Sequence, residues 1–172
     1  VRFDQPLEQP AAVISGANMG GLLELARWGN GRAENVSWSP DGAWLAVHTP
    51  TGAYLYEASK PAAAFYLEGS VTFSPDGKLL AASQGLGSAQ HTTIYAVGAV
   101  NAAPRALYTL EAGRPTFSPD GKLLALSAPE NVLVVEAATG QRLYLLEHKN
   151  VEQLSFSKDG ALLLCGARES LS

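Results

Sequence analysis

Four copies of one turn divide this chain: Ser39-Pro40-Asp41-Gly42, Ser74-Pro75-Asp76-Gly77, Ser118-Pro119-Asp120-Gly121 and Ser157-Lys158-Asp159-Gly160, at spacings of 35, 44 and 39 residues. A period in this range marks a repeat architecture, in which each unit is one supersecondary element and neighbours bury each other's apolar faces. The turn has a local mechanism. Proline presets φ for the second position of a type I turn, aspartate bonds the nearby backbone, and glycine accepts the positive φ that follows. The fourth copy lacks the proline. Asp41, Gly42, Asp76, Gly77, Asp120, Gly121, Asp159 and Gly160 are therefore expected to be structural turn residues.

Each copy has the same neighbours. A short apolar segment precedes it: Val36-Ser37-Trp38, Val71-Thr72-Phe73, Pro115-Thr116-Phe117 and Leu154-Ser155-Phe156. An aliphatic run follows: Trp44 to Val47, Leu79 to Ala82, Leu123 to Leu126 and Leu162 to Cys165. Two apolar runs joined by such a turn predict a β-hairpin. A third run (Tyr54 to Tyr56, Ile94 to Val97, Val132 to Val135) and a fourth (Phe65 to Leu67, Leu107 to Leu110, Leu143 to Leu146) complete each full unit. Every unit thus reads as a four-stranded antiparallel meander. Runs such as Leu123 to Leu126 are apolar at successive positions, so both faces of the sheet must be covered. Sheets stacked radially satisfy that demand. The expected fold class is all-β, a β-propeller of four-stranded antiparallel blades.

At this point the chain resembles the WD-repeat β-propellers in their degenerate bacterial form. A first strand ending Phe-Ser-Pro-Asp-Gly, followed by Lys-Leu-Leu-Ala, is a frequent signature of that family. Val134-Val135-Glu136-Ala137-Ala138-Thr139-Gly140 looks like the end of its third strand and the next turn, with Val135-Glu136, and Tyr56-Glu57 in the first unit, in place of the Trp-Asp pair. Glu147-His148 looks like a remnant of its Gly-His pair. The resemblance covers residues 22–167 and implies blades at about 36–67, 71–110, 115–146 and 151–172, the last partial. It also implies that Leu22 to Trp28 is the strand that closes such rings. Residues 1–21, rich in Pro, Gly, Ala and Asn, read as an irregular N-terminal segment.

The count is one leading strand, three complete blades and two strands of a fourth. Such an arc would be a fragment of a six- to eight-bladed ring, a half-ring completed by another copy or another chain, or a strained four-bladed ring. Leaving Leu162, Leu163 and Leu164 bare would forfeit about 1.5–3 kcal/mol for each large side chain. Self-association of the isolated chain is the expected outcome.

Residue chemistry narrows the function. Four of the five aspartates sit in the repeated turn, and Asp4 lies in the N-terminal segment. Glu57 and Glu136 occupy equivalent positions after the third strand, where a solvated strand end is expected. His48, His91 and His148 have no metal-ligand spacing. Neither a Gly-x-Ser-x-Gly elbow nor a phosphate-binding glycine pattern is present. Cys165, the one cysteine, reads as a small buried hydrophobe and excludes an internal disulfide. No catalytic, cofactor-binding or metal-ligating residue is expected, and no cofactor.

A net charge of −4, with 12 Lys+Arg against 16 Asp+Glu and no basic run, argues against nucleic acid as partner. No apolar stretch approaches the roughly 18–20 residues of a membrane span. The expected partner is a protein or another copy of this chain, met through exposed blade edges. Tyr66, Tyr108 and Tyr144 on outer strands, His91 and Arg105 at the long connections 84–92 and 98–105, and Leu162 and Leu164 on the last strand are the candidate contact residues. The expected function is a non-catalytic scaffold for protein–protein interaction or assembly. Binding of a small ligand or glycan in a propeller funnel is the alternative, as is an accessory role in an enzyme whose catalytic residues lie elsewhere. One cysteine leaves the compartment open, and a chain starting at Val1 tilts it toward export.

Overall fold

The computed structural model describes Ser15, Ala17, Met19 and residues 32–85, 89–98 and 102–167; the closing strand expected at 22–28 and the stretch after Ala167 lie outside the described residues. The described chain is built of antiparallel sheets in sequence order. Sheet 1 comprises β1 (Asn35–Trp38), β2 (Trp44–Thr49), β3 (Gly52–Glu57) and β4 (Lys60–Glu68). Sheet 2 comprises β5 (Ser70–Phe73), β6 (Leu79–Gln84), β7 (His91–Ala96) and β8 (Arg105–Leu110). Sheet 3 comprises β9 (Gly113–Phe117), β10 (Leu123–Ser127), β11 (Asn131–Glu136) and β12 (Arg142–Glu147). Sheet 4 pairs β13 (Val151–Phe156) with β14 (Leu163–Ala167). Strand order within each sheet follows the chain, as a meander requires.

The four turns close in the same way. Each glycine N–H donates to the serine carbonyl at 2.8–2.9 Å, the bond of a type I turn. Each serine hydroxyl donates to its aspartate Oδ1 at 2.5–2.7 Å, while the same oxygen accepts the backbone N–H five residues on at 2.9 Å. Oδ1 also accepts the N–H two residues further along, at 3.1 Å in every copy. Gly42, Gly77, Gly121 and Gly160 sit at φ of 70–72°, a conformation open to glycine without penalty. Held by the serine bond first, the carboxyls of Asp41, Asp76, Asp120 and Asp159 titrate below the ordinary aspartate value.

Alternation along the strands assigns each sheet two faces, and the core lies between sheets. Trp44, Ala46, Ala53 and Leu55 of sheet 1 pack on Val71, Leu80 and Ala82 of sheet 2. Ala81 and Ile94 on the other side of sheet 2 pack on Phe117, Leu124, Leu126 and Val135 of sheet 3. Ala125, Val132 and Val134 of sheet 3 in turn meet Val151 and Leu154 of sheet 4. Counting from the turn serine makes the rule explicit. The fifth and seventh residues point forward to the next sheet; the sixth and eighth point back. This explains the runs that are apolar at every position, since each inner strand contributes to two interfaces. Buried hydroxyls tie the same boundaries: Thr92 Oγ1 donates to the Ala112 carbonyl and Ser127 Oγ to the Val151 carbonyl, both at 2.7 Å.

Candidate interaction surfaces

The candidate contact residues fall into three situations. Tyr108 is engaged within the fold. It leaves β8, crosses to sheet 3, donates its hydroxyl to the Ala137 carbonyl at 2.6 Å and lays its ring on Gly140. A Cβ at Gly140 would come within 2.8 Å of that ring. Burial, helped by the charge of Glu136, pushes the Tyr108 phenol up to about 12.

Tyr66 lies at the sheet 1 edge. Its hydroxyl donates to Thr51 Oγ1 at 2.9 Å and its ring packs against Tyr54 with centroids 4.8 Å apart and planes tilted by 50°. Together with Pro50, Gly69 and Gln84 it lines an open groove between sheets 1 and 2, where the connection after β6 begins. His91 and Arg105 do not meet. They pair with Gln84 and Ala96, at opposite ends of the β6–β7–β8 ladder, so the two long connections project from opposite ends of sheet 2.

Tyr144, Leu162 and Leu164 stand in solvent. Tyr144 is 63% exposed, and its neighbours Leu143, Leu145 and Leu146 are exposed as well, leaving all six residues of β12 open. By register, Tyr144 opposite Val134 is the counterpart of Tyr108 opposite Ile94. Register also shows that the sheet 1 counterpart of Tyr108 is Phe65, opposite Leu55, and not its neighbour Tyr66. Phe65 packs on the core between sheets 1 and 2.

Leu162 and Leu164 are the fifth and seventh residues after Ser157, so they point forward. Their counterparts Ala46, Ala81 and Ala125 are fully buried and Trp44 is 1% exposed, whereas Leu162 and Leu164 are 72% and 66% exposed. The opposite end of the arc has the complementary condition. Val36 and Trp38 pair with Val47 and Leu45, positions that point back, and both are 57% exposed. Their counterparts in sheets 2 to 4, Val71 and Phe73, Phe117, and Leu154 and Phe156, all join the core. Sequence inspection missed this rear face because Val36 and Trp38 look like any other first-strand residues.

Several of the described titratable groups make contacts within the fold. Glu57, expected at a solvated strand end, is instead 5% exposed and accepts the Ser59 hydroxyl. Glu136 accepts the Thr139 hydroxyl at 2.5 Å. His48 contacts Ser37 Oγ at 3.0 Å, and burial lowers its pKa. Cys165 faces sheet 3 and burial raises its thiol. Among the described residues, no three His, Cys, Asp or Glu side chains converge on a metal-sized site, and no helix is long and apolar enough to cross a membrane.

No protein-family model matches the chain, and no curated protein matches it in sequence. Solved structures do. The β-propeller domain of Swd1 from Myceliophteria thermophila superposes with a TM-score of 0.61 at 16% identity, over 78% of this chain and 49% of that one. Sqt1 from Chaetomium thermophilum gives 0.55 at 20% identity, over 75% and 39%. TolB from Acinetobacter baumannii gives 0.54 at 24% identity, over 78% and 37%. The chain therefore has a WD-repeat-like β-propeller fold of about three complete blades and part of a fourth, and it matches half or less of each of these structures.

Proposed function

We propose that this chain is a non-catalytic β-propeller scaffold that mediates protein–protein interaction or assembly. It would do so by holding rigid blade faces and loops against a protein partner, with no bond made or broken. In this reading residues 22–172 form one propeller arc preceded by the segment 1–21.

The observation that carries the proposal is strand β12, a full strand with Leu143, Tyr144, Leu145 and Leu146 all exposed. A contiguous apolar patch on a folded protein marks an interaction site, whereas scattered single hydrophobics do not. Tyr144 and Leu146 adjoin on one face of β12, opposite Val134 and Val132, while Leu145, opposite Leu133, points to the other; a tyrosine so placed suits a binding anchor, since it brings large contact area and a polar handle. The four turn aspartates support the non-catalytic side of the reading, because each carboxylate is committed to a serine hydroxyl and a backbone N–H.

A photo-crosslinking amino acid placed at Tyr144 in living cells tests it, with exposed Lys122 as the control position. Discrete protein adducts at 144 and none at 122 are expected. Absence of any protein adduct at 144 sinks the proposal.

A further inference from the structure

Building on the interaction reading, we infer that the groove between blades 1 and 2 receives an arginine side chain of the partner protein, with the Glu68 carboxylate as its counter-charge and the Tyr66 ring as its wall. The groove has a volume of about 510 Å³, within the range of clefts that hold small groups. Its lining runs from Pro50 to Gly85 and comes from blades 1 and 2 alone, so it belongs to a junction inside the arc.

Two observations set the chemistry of the occupant. First, the groove holds an acid without a counter-ion. Of the residues that line it, Glu68 alone is charged, and it is exposed. Among the described residues no cation pairs with it. Ser83 and Gln84 on the facing wall carry oxygens that can accept further N–H groups. The Tyr66 hydroxyl is fixed to Thr51 Oγ1, which holds the ring in place. A planar guanidinium, with five donors and a face that lies on aromatic rings, suits this set better than an ammonium does.

Second, the other junctions are filled by the chain itself. Glu68 ends β4 opposite Gly52, the first residue of β3, and Glu147 ends β12 opposite Asn131, the first residue of β11. Just after each glutamate a residue with left-handed backbone, Gly69 at φ 81° or Asn150 at φ 54°, donates its N–H to a turn carbonyl, that of Thr51 or Pro129. Beside Asn150 the chain supplies its own cation, with Lys149 Nζ 2.6 Å from Glu130 Oε2. Between blades 2 and 3 the Gln90 side chain lies over Gly113, where an added Cβ would come within 2.5 Å of its Oε1. Neither device exists between blades 1 and 2. Gly69 alone joins β4 to β5, which leaves no place for a lysine like Lys149. The cation that the third junction carries internally comes, at the first, from the partner.

The test titrates the isotope-labelled full chain with N-acetylarginine amide, followed by nuclear magnetic resonance, with N-acetylcitrulline amide as the uncharged isostere. Arginine should shift the backbone amides of Gly69, Gln84 and Gly85 and saturate in the millimolar range; citrulline should leave them in place, and N-acetyllysine amide should bind more weakly than arginine. Glu68→Gln should weaken the arginine complex about fivefold, the scale of one partly exposed ion pair. Glu111→Gln, at another blade junction, should leave it unchanged. Glu68 is exposed, so the fold should survive the substitution; unchanged near-ultraviolet circular dichroism checks this, and Glu68→Ser serves if it does not. A photo-crosslinking amino acid at Gln84 in living cells then reads the partner, and mass spectrometry should map its adducts to segments that contain arginine. No shift with arginine, equal shifts with citrulline, lysine binding as tightly as arginine, or adducts at 84 that are absent or confined to segments without arginine overturns the inference. Protein adducts at Tyr144 alongside an unresponsive groove would leave the scaffold reading standing while this one falls.

Discussion

The Tyr108 hydroxyl donates to the Ala137 carbonyl at 2.6 Å, fastening the outer strand of the second blade to the turn of the third. Ala137 is fully buried, so its carbonyl depends on partners within the protein. Tyr108→Phe should lower unfolding free energy by about 1–3 kcal/mol, the cost of leaving a buried acceptor unmet. Urea titration measures this. The phenol is also raised to about 12 from an ordinary value of 10.0, so its contribution is complete below pH 10 and fades as pH climbs through 12. Near-ultraviolet titration should show a late-ionising tyrosine that the Phe variant lacks, beside Tyr56, whose phenol burial also raises.

The closeness of that ring to Gly140 separates two costs of adding a methyl group. Gly42 and Gly140 both have positive φ, at 70° and 75°, but an added Cβ at Gly42 meets nothing within 4 Å. Gly42→Ala should cost about 1–2 kcal/mol, the backbone penalty alone. Gly140→Ala should cost about 1–3 kcal/mol more, because the new methyl overlaps the Tyr108 ring. Equal losses in thermal melts would show that the two blades do not meet there.

Acid should loosen the turns. Asp41, Asp76, Asp120 and Asp159 all titrate below the ordinary value of 3.8 because the turn serine donates to each. A lowered folded pKa means that the stabilisation is present above about pH 4, where the unfolded carboxyl titrates, and disappears as pH falls through the folded value. Melting temperature should therefore drop steeply below pH 4. Ser74→Ala should flatten that drop, and an unchanged slope would count against the serine as its cause.

Interblade hydroxyls supply a second set of bonds. Thr92→Val and Ser127→Ala each strand a carbonyl at the next blade, Ala112 or Val151. Each should cost about 1–3 kcal/mol. The sites lie on different boundaries, so the double variant should lose close to the sum. Chemical denaturation of the single and double variants tests both statements.

The fold was legible because a short-range device recurs with its flanks intact. Ser-x-Asp-Gly closes on itself through bonds spanning at most five residues, so sequence order alone announces the hairpin. Apolar runs with no alternation then point to sheets covered on both faces. The contact residues were less legible because they depend on register. Tyr66 and Tyr108 look equivalent in sequence, yet the longer β4 slides Phe65 into the matching place. Nor can an apolar run announce how deeply each of its residues is covered. Leu162 and Leu123 sit at the same point of the repeat, yet Leu123 is half-buried against sheet 4 while Leu162 is exposed.

Ser157-Lys158-Asp159-Gly160 makes the same hydrogen bonds as the three Pro-containing copies, at matching distances. Pro40, Pro75 and Pro119 therefore add no bond of their own to the folded turn. They act on the denatured ensemble, where a fixed φ removes conformations and is worth about 0.4–1 kcal/mol at a compatible site. The fourth hairpin surrenders more chain entropy than the other three to reach the same shape.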